Sequence, residues 1–249
     1  MRTAPILFLT AAVLFAGCGG DRSHGVAGVR ATKCAAGSFR RLGSSERAYA
    51  AVVRSRATVV RRPGGPVLAT FGRLNANGVP TVFSLRGERV DRSCRPVAYR
   101  VQIPLRPNGV TGWVAPRAVT VESVRTRIEV DLSERRLTLF RAGRELLQAT
   151  VAIGSPTTPT PTPTGRYYVN QRLIPSEPGG PFGPGAVGIS AFSDVLTGWT
   201  QGGPIAIHGT NAPWSIGHAV SNGCIRLRNP VLRRVFRTAF SGTPVIIHP

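Results

Sequence analysis

Two stretches decide how this chain is read: Pro204-Ile205-Ala206-Ile207-His208-Gly209-Thr210 and, after a gap, Ser221-Asn222-Gly223-Cys224-Ile225-Arg226-Leu227. The apolar run before His208 reads as a short strand that ends on the imidazole. Gly223 stands directly before Cys224, and glycine allows a tight turn with positive φ. Such a turn aims the backbone N–H groups of Gly223 and Cys224 at one point, which is how an oxyanion hole is made. A thiol becomes a good nucleophile when an imidazole holds or removes its proton. His208 lies 16 residues before Cys224, so the intervening loop can fold them together. The base then needs a group to fix its tautomer. Asp194 is the nearest acidic residue upstream and none follows it, so a backbone carbonyl such as that of Gly209 is the expected orienter.

Other readings of the same residues stay open at this point. A lone cysteine is often half of a disulfide. His208, His218 and Cys224 offer three ligands for zinc, although their spacing follows no standard zinc pattern. His218, six residues before Cys224, is a second candidate base. His24 and His248 lie near the chain ends and carry no pattern.

Working outward, residues 127–132 and 136–140 alternate polar and apolar around Ser133-Glu134, the pattern of a β-hairpin. Residues 148–153, 165–169 and 243–248 are further strand candidates. Residues 229–240 place apolar side chains at helical spacing. Between two of the strands, residues 157–164 read TTPTPTPT. Composition suggests a polyproline linker, but its place inside one strand pattern predicts a stiff loop beside the site.

The elements "IHGT", "SNGCIRL" and the preceding "TPTPTG" resemble the YkuD-type L,D-transpeptidase catalytic domain over about residues 123–249. The resemblance implies Cys224 as nucleophile, His208 as base and the Gly209 carbonyl as orienter. It implies an oxyanion hole of Gly223 and Cys224 amides, with Arg226 facing a substrate carboxylate and Ser221 and Asn222 flanking the substrate. Many relatives have His where this chain has Asn222; the departure removes a second imidazole near the thiol and weakens any role of that position in proton transfer. The implied reaction is acyl transfer from a peptidoglycan stem tetrapeptide through a Cys224 thioester to an amine, forming wall cross-links. No metal or organic cofactor is implied, and carbapenem-type β-lactams are implied inhibitors. Water as acceptor would make an L,D-carboxypeptidase. A non-catalytic wall-binding lipoprotein is the reading from another class.

The rest of the chain bounds compartment and architecture. Of 249 residues, 42% are hydrophobic, enough for a core, and 29 Gly with 21 Pro favour short strands and turns over long helices. The net charge is +21, with Lys33 the only lysine. That field suits polyanionic neighbours, and without a nucleic-acid motif it points to a cell wall or membrane. Residues 1–17 read as a signal peptide: Arg2 precedes an uncharged apolar run too short to span a bilayer. Phe15-Ala16-Gly17-Cys18 resembles a lipobox, which implies acylation of Cys18, a membrane-bound lipid anchor and location at the outer face of the cell membrane, the wall or the periplasm. With Cys18 acylated, the economical pairing of the remaining thiols is Cys34–Cys94, leaving Cys224 free.

Residues 18–50 then read as a tether, with a possible short helix over 44–53. Residues 51–121 carry short strand signals at 58–60, 82–85, 99–103 and 112–114, with 12 basic and 2 acidic residues. Their turn spacing and the late Gly-Trp-Val resemble bacterial SH3-like domains. The predicted architecture is mostly β: a small SH3-like β-barrel at 51–121, then a YkuD-type β-sandwich catalytic domain at 122–249 with one or more short helices.

Overall fold

The computed structural model describes residues 33–155, 160, 162–198, 201 and 203–249. The expected signal peptide and Cys18 lie outside the described residues. Residues 33–249 form one compact unit, and it is mostly β.

The first sheet is built from β1 (Phe39–Arg41), β2 (Ala48–Val53), β3 (Arg56–Val60), β4 (Val67–Gly72), β5 (Val82–Val90), β6 (Pro96–Gln102), β7 (Thr111–Val114) and β8 (Val119–Val124). Its order is β4-β3-β7-β6-β5-β2-β8, with β1 also paired to β5. Every pairing is antiparallel. The half-barrel closes over Ala51, Val59, Phe83, Leu85, Val101 and Ile103, all fully or nearly fully buried. Cys34 and Cys94 are disulfide-bonded with a Cα–Cα distance of 5.2 Å. The bond ties the start of the described chain to the turn after β5.

Here the structure differs from the sequence reading. The segment expected as a short helix over 44–53 is strand β2, and β1 precedes it, so sheet structure begins inside the stretch read as tether. The cause is tertiary. Ala48–Val53 pairs on both sides, with β5 and with β8. Two ladders of hydrogen bonds outweigh the small helical preference of an alanine-rich hexapeptide.

The second sheet begins with the hairpin β9 (Thr126–Asp131) and β10 (Arg136–Arg141), followed by β11 (Arg144–Thr150) and a two-residue β12 (Ile153–Gly154). It continues with β13 (Gly165–Leu173), β14 (Ala186–Phe192), β15 (Pro204–His208), β16 (Ala219–Ser221), β17 (Ile225–Arg226), α1 (Asn229–Thr238) and β18 (Pro244–His248). The order is β11-β10-β9-β18-β13-β14-β15-β17, while β12 and β16 form a separate parallel pair. One core of Ile128, Leu137, Val169, Ile189, Ile207, Ile225 and Leu232 fills this half. Helix α1 begins with Pro at its first turn, where the missing N–H costs nothing, and buries Leu232 and Val235.

Specific contacts join the two halves. The Gln102 amide donates to the Arg166 carbonyl at 2.9 Å, and the Tyr168 hydroxyl to the Val82 carbonyl at 3.2 Å. Asn108 exchanges two bonds with the Phe192 backbone, each 2.9 Å. Gly242, at φ +93°, sits where an added Cβ would run into the Ala50 side chain.

Candidate active site

His208 is the last residue of β15, an interior strand. It pairs with Ala186 on one side and with Arg226 of β17 on the other. Its carbonyl accepts from Leu227 N–H at 2.8 Å. The backbone is therefore fixed from both neighbours, and the residue is only 4% exposed. Nδ1 lies 2.5 Å from the Gly209 carbonyl oxygen. A carbonyl only accepts, so Nδ1 carries the proton and Nε2 keeps its lone pair. Burial, the larger effect, holds the imidazole down at about 4; the Gly209 contact pulls it up and the Arg226 charge pushes it down. His208 is thus a neutral, oriented base at ordinary pH.

Cys224 immediately precedes β17, and its neighbour Ile225 pairs with Ile207 in parallel register. The thiol is outside any disulfide. By exposed area the residue is half-buried, but its surroundings are dry enough that burial pushes the thiol up. A backbone hydrogen bond from Ala206 and the Arg226 charge act against that burial. Both favour the thiolate, so they serve the sulfur as it loses its proton rather than ionising it beforehand.

Gly223 adopts φ +100°, the left-handed region that favours glycine. Arg226 is half-buried, and its backbone exchanges bonds of 2.9 and 3.0 Å with Ala152. Asn222 is exposed. Ser221 is 2% exposed and its hydroxyl donates to the Cys224 carbonyl at 2.5 Å. With its side chain buried and its donor on that carbonyl, Ser221 holds the turn around Cys224 from within. His218 is exposed, and its carbonyl accepts from Ile153 N–H at 3.1 Å. His208, His218 and Cys224 form no three-ligand cluster among the described residues.

Three residues beside the site escaped the sequence reading as functional candidates. Thr162, in the threonine-proline run, links Gly154 to the nucleophile turn. Phe182 sets its ring edge-on to His208, with centroids 4.9 Å apart and an interplanar angle of 61°. The signal for it was a single aromatic within Pro-Gly-Gly-Pro-Phe-Gly-Pro-Gly, where such a turn-rich run needs few apolar groups. Asn229 opens α1, and its Oδ1 accepts from Thr210 N–H at 2.8 Å, fixing the chain just after His208.

The profile of the L,D-transpeptidase catalytic domain, the YkuD family, matches residues 125–247. The L,D-transpeptidase-family protein YkuD of Bacillus licheniformis is 35% identical over 136 residues, covering 55% of this chain and 73% of that protein. The chain belongs to the YkuD family of L,D-transpeptidases. YkuD of Bacillus subtilis (strain 168) is 37% identical over 121 residues, or 49% of this chain and 65% of that protein, so the match spans just under two thirds of its length. Among solved structures, a point mutant of Enterococcus faecium L,D-transpeptidase matches 49% of each chain at 27% identity and a TM-score of 0.37. The YkuD match coincides with the second sheet and contains both His208 and Cys224.

Proposed function

We propose that this YkuD-family chain is a peptidoglycan L,D-transpeptidase that works through a Cys224 thioester. The observation that carries the reading is an unbridged Cys224 directly before β17, the strand paired with β15, which ends on a buried His208 whose Nδ1 proton is held by the Gly209 carbonyl. The Nε2 lone pair takes the thiol proton as the sulfur attacks the donor carbonyl. The Gly223 and Cys224 amides receive the developing oxyanion. The proton then passes to the leaving amine, terminal D-Ala departs, and the acyl group rests on sulfur. An amine from a second stem attacks the thioester, His208 takes its proton, and the amide bond forms as the thiolate leaves. Arg226 supplies positive charge next to both reacting groups, suited to a donor carboxylate.

The setting is part of the proposal. Residues 1–17 act as an export signal, Cys18 is acylated, and the enzyme works from the outer face of the cell membrane on an anionic wall. The lipobox-like Phe15-Ala16-Gly17-Cys18 and the +21 charge support this, as does a Cys34–Cys94 disulfide, a bond that persists in oxidising compartments. The first sheet is read as an SH3-like wall-binding unit, supported by its half-barrel and its arginine-rich sequence. Incubation with a purified disaccharide-tetrapeptide tests the reaction. A product with the mass of two donors less one alanine is expected. Only the tripeptide would make the chain a carboxypeptidase, and unchanged donor would remove the transferase reading.

A further inference from the structure

Within residues 157–164, Thr160 and Thr162 reach the turn around Cys224, the Thr160 hydroxyl donating to the Ser221 carbonyl at 3.4 Å. Thr162 is 4% exposed. Its hydroxyl oxygen accepts from Gly154 N–H at 2.8 Å, and the hydroxyl donates to the Gly223 carbonyl at 2.9 Å. The first bond occupies a lone pair and commits the single hydroxyl proton to the second. The fit is tight: a Cβ on Gly154 would stand 2.6 Å from Thr162 N and 2.9 Å from Gly223 Cα.

The Gly223 carbonyl and the Cys224 N–H belong to one planar peptide unit and point in opposite directions. Holding the carbonyl therefore aims the N–H. Glycine at φ +100° gives this peptide little steric resistance to rotation, so its orientation must come from a partner. Ser221 performs the corresponding service one peptide later, through the Cys224 carbonyl. We infer that Thr162 is a positioning residue for acyl transfer: its hydroxyl clamps the Gly223–Cys224 peptide so that the Cys224 N–H faces the oxyanion.

The inference rests on the acyl-transfer reading, and its test separates the two. Full-length wild type, Thr162→Val and Thr162→Ser are acylated with imipenem, resolving probe affinity from the first-order acylation constant. Thiol alkylation by iodoacetamide is followed against pH in parallel, since it forms no oxyanion. Thr162→Val is expected to lower the acylation constant about 10- to 100-fold, in the range for a lost or misplaced oxyanion donor. Affinity and the alkylation profile stay within about threefold of wild type, as expected when only the transition-state contact is lost. Thr162→Ser keeps the hydroxyl and restores acylation. Equal acylation of Thr162→Val and wild type overturns the inference, as does a Ser variant as slow as Val. Failure of wild type itself to acylate overturns the underlying function instead. Should Thr162→Val not fold, Thr162→Ala against Thr162→Ser makes the same comparison.

Discussion

His208 sets the protonation chemistry of the site. Burial holds its imidazole at about 4, against an ordinary 6.5, while burial pushes the Cys224 thiol up. The resting pair at neutral pH is imidazole and thiol, not imidazolium and thiolate. Acylation by a β-lactam is therefore expected to be flat from about pH 5 to 8 and to fall only as pH approaches 4, where the base becomes protonated. A stopped-flow pH profile with an acid limb between 6 and 7 would contradict this. The same shift enters stability. A depressed folded-state value makes the unfolded chain the better proton acceptor, so the stabilisation is complete above about 6.5 and is lost as pH falls toward 4. Urea unfolding at pH 7 and pH 4 is expected to show His208→Gln losing about 3 kcal/mol less than wild type. Equal losses would mean that the ring is solvated.

At the scale of elements, the site is a strand end, a glycine turn and a brace. Gly154 in β12 shows how little slack exists, because any Cβ there meets backbone of residues 160 and 162 and of Gly223. Gly154→Ala is expected to slow acylation at least tenfold while leaving iodoacetamide able to reach Cys224. Acylation at wild-type rate would show that the loop yields. The strands that alternate, such as β9 and β10, were legible in the sequence because one face is buried and the other wet. β14 was not, because Ala186–Phe192 is buried on almost every residue and contains Gly and Ser, so it shows no period of two. β2 misled because its alanines carry no face of their own and its identity comes from its neighbours. His208 and Cys224 stand out in the sequence because few residue types do the chemistry proposed for them. Thr162 was hidden by a repeat whose composition matches a linker, and its role depends on one hydroxyl meeting a carbonyl 61 residues away.

Across the whole molecule, the two sheets share hydrogen bonds between side chains and backbone, including the buried Tyr168 hydroxyl on Val82. Burial pushes that phenol well above its ordinary range, so it stays a donor at all working pH values. Residues 33–249 are expected to unfold in a single calorimetric transition, and two resolved transitions would show that the halves are energetically independent. The Cys34–Cys94 bond closes a loop with a sequence separation of 60. Replacing both cysteines by serine is expected to cost about 2–4 kcal/mol in chemical denaturation with the acylation rate unchanged. A slowed rate would show that the distant half governs the site.

Everything proposed for the site depends on Cys224 being an acyl-accepting nucleophile served by His208. Intact-mass spectrometry of the protein after incubation with imipenem, beside Cys224→Ala, is the decisive measurement. One covalent adduct is expected on wild type and none on the variant. A folded, reduced wild-type protein that stays at its native mass, or an adduct that persists on Cys224→Ala, would contradict it.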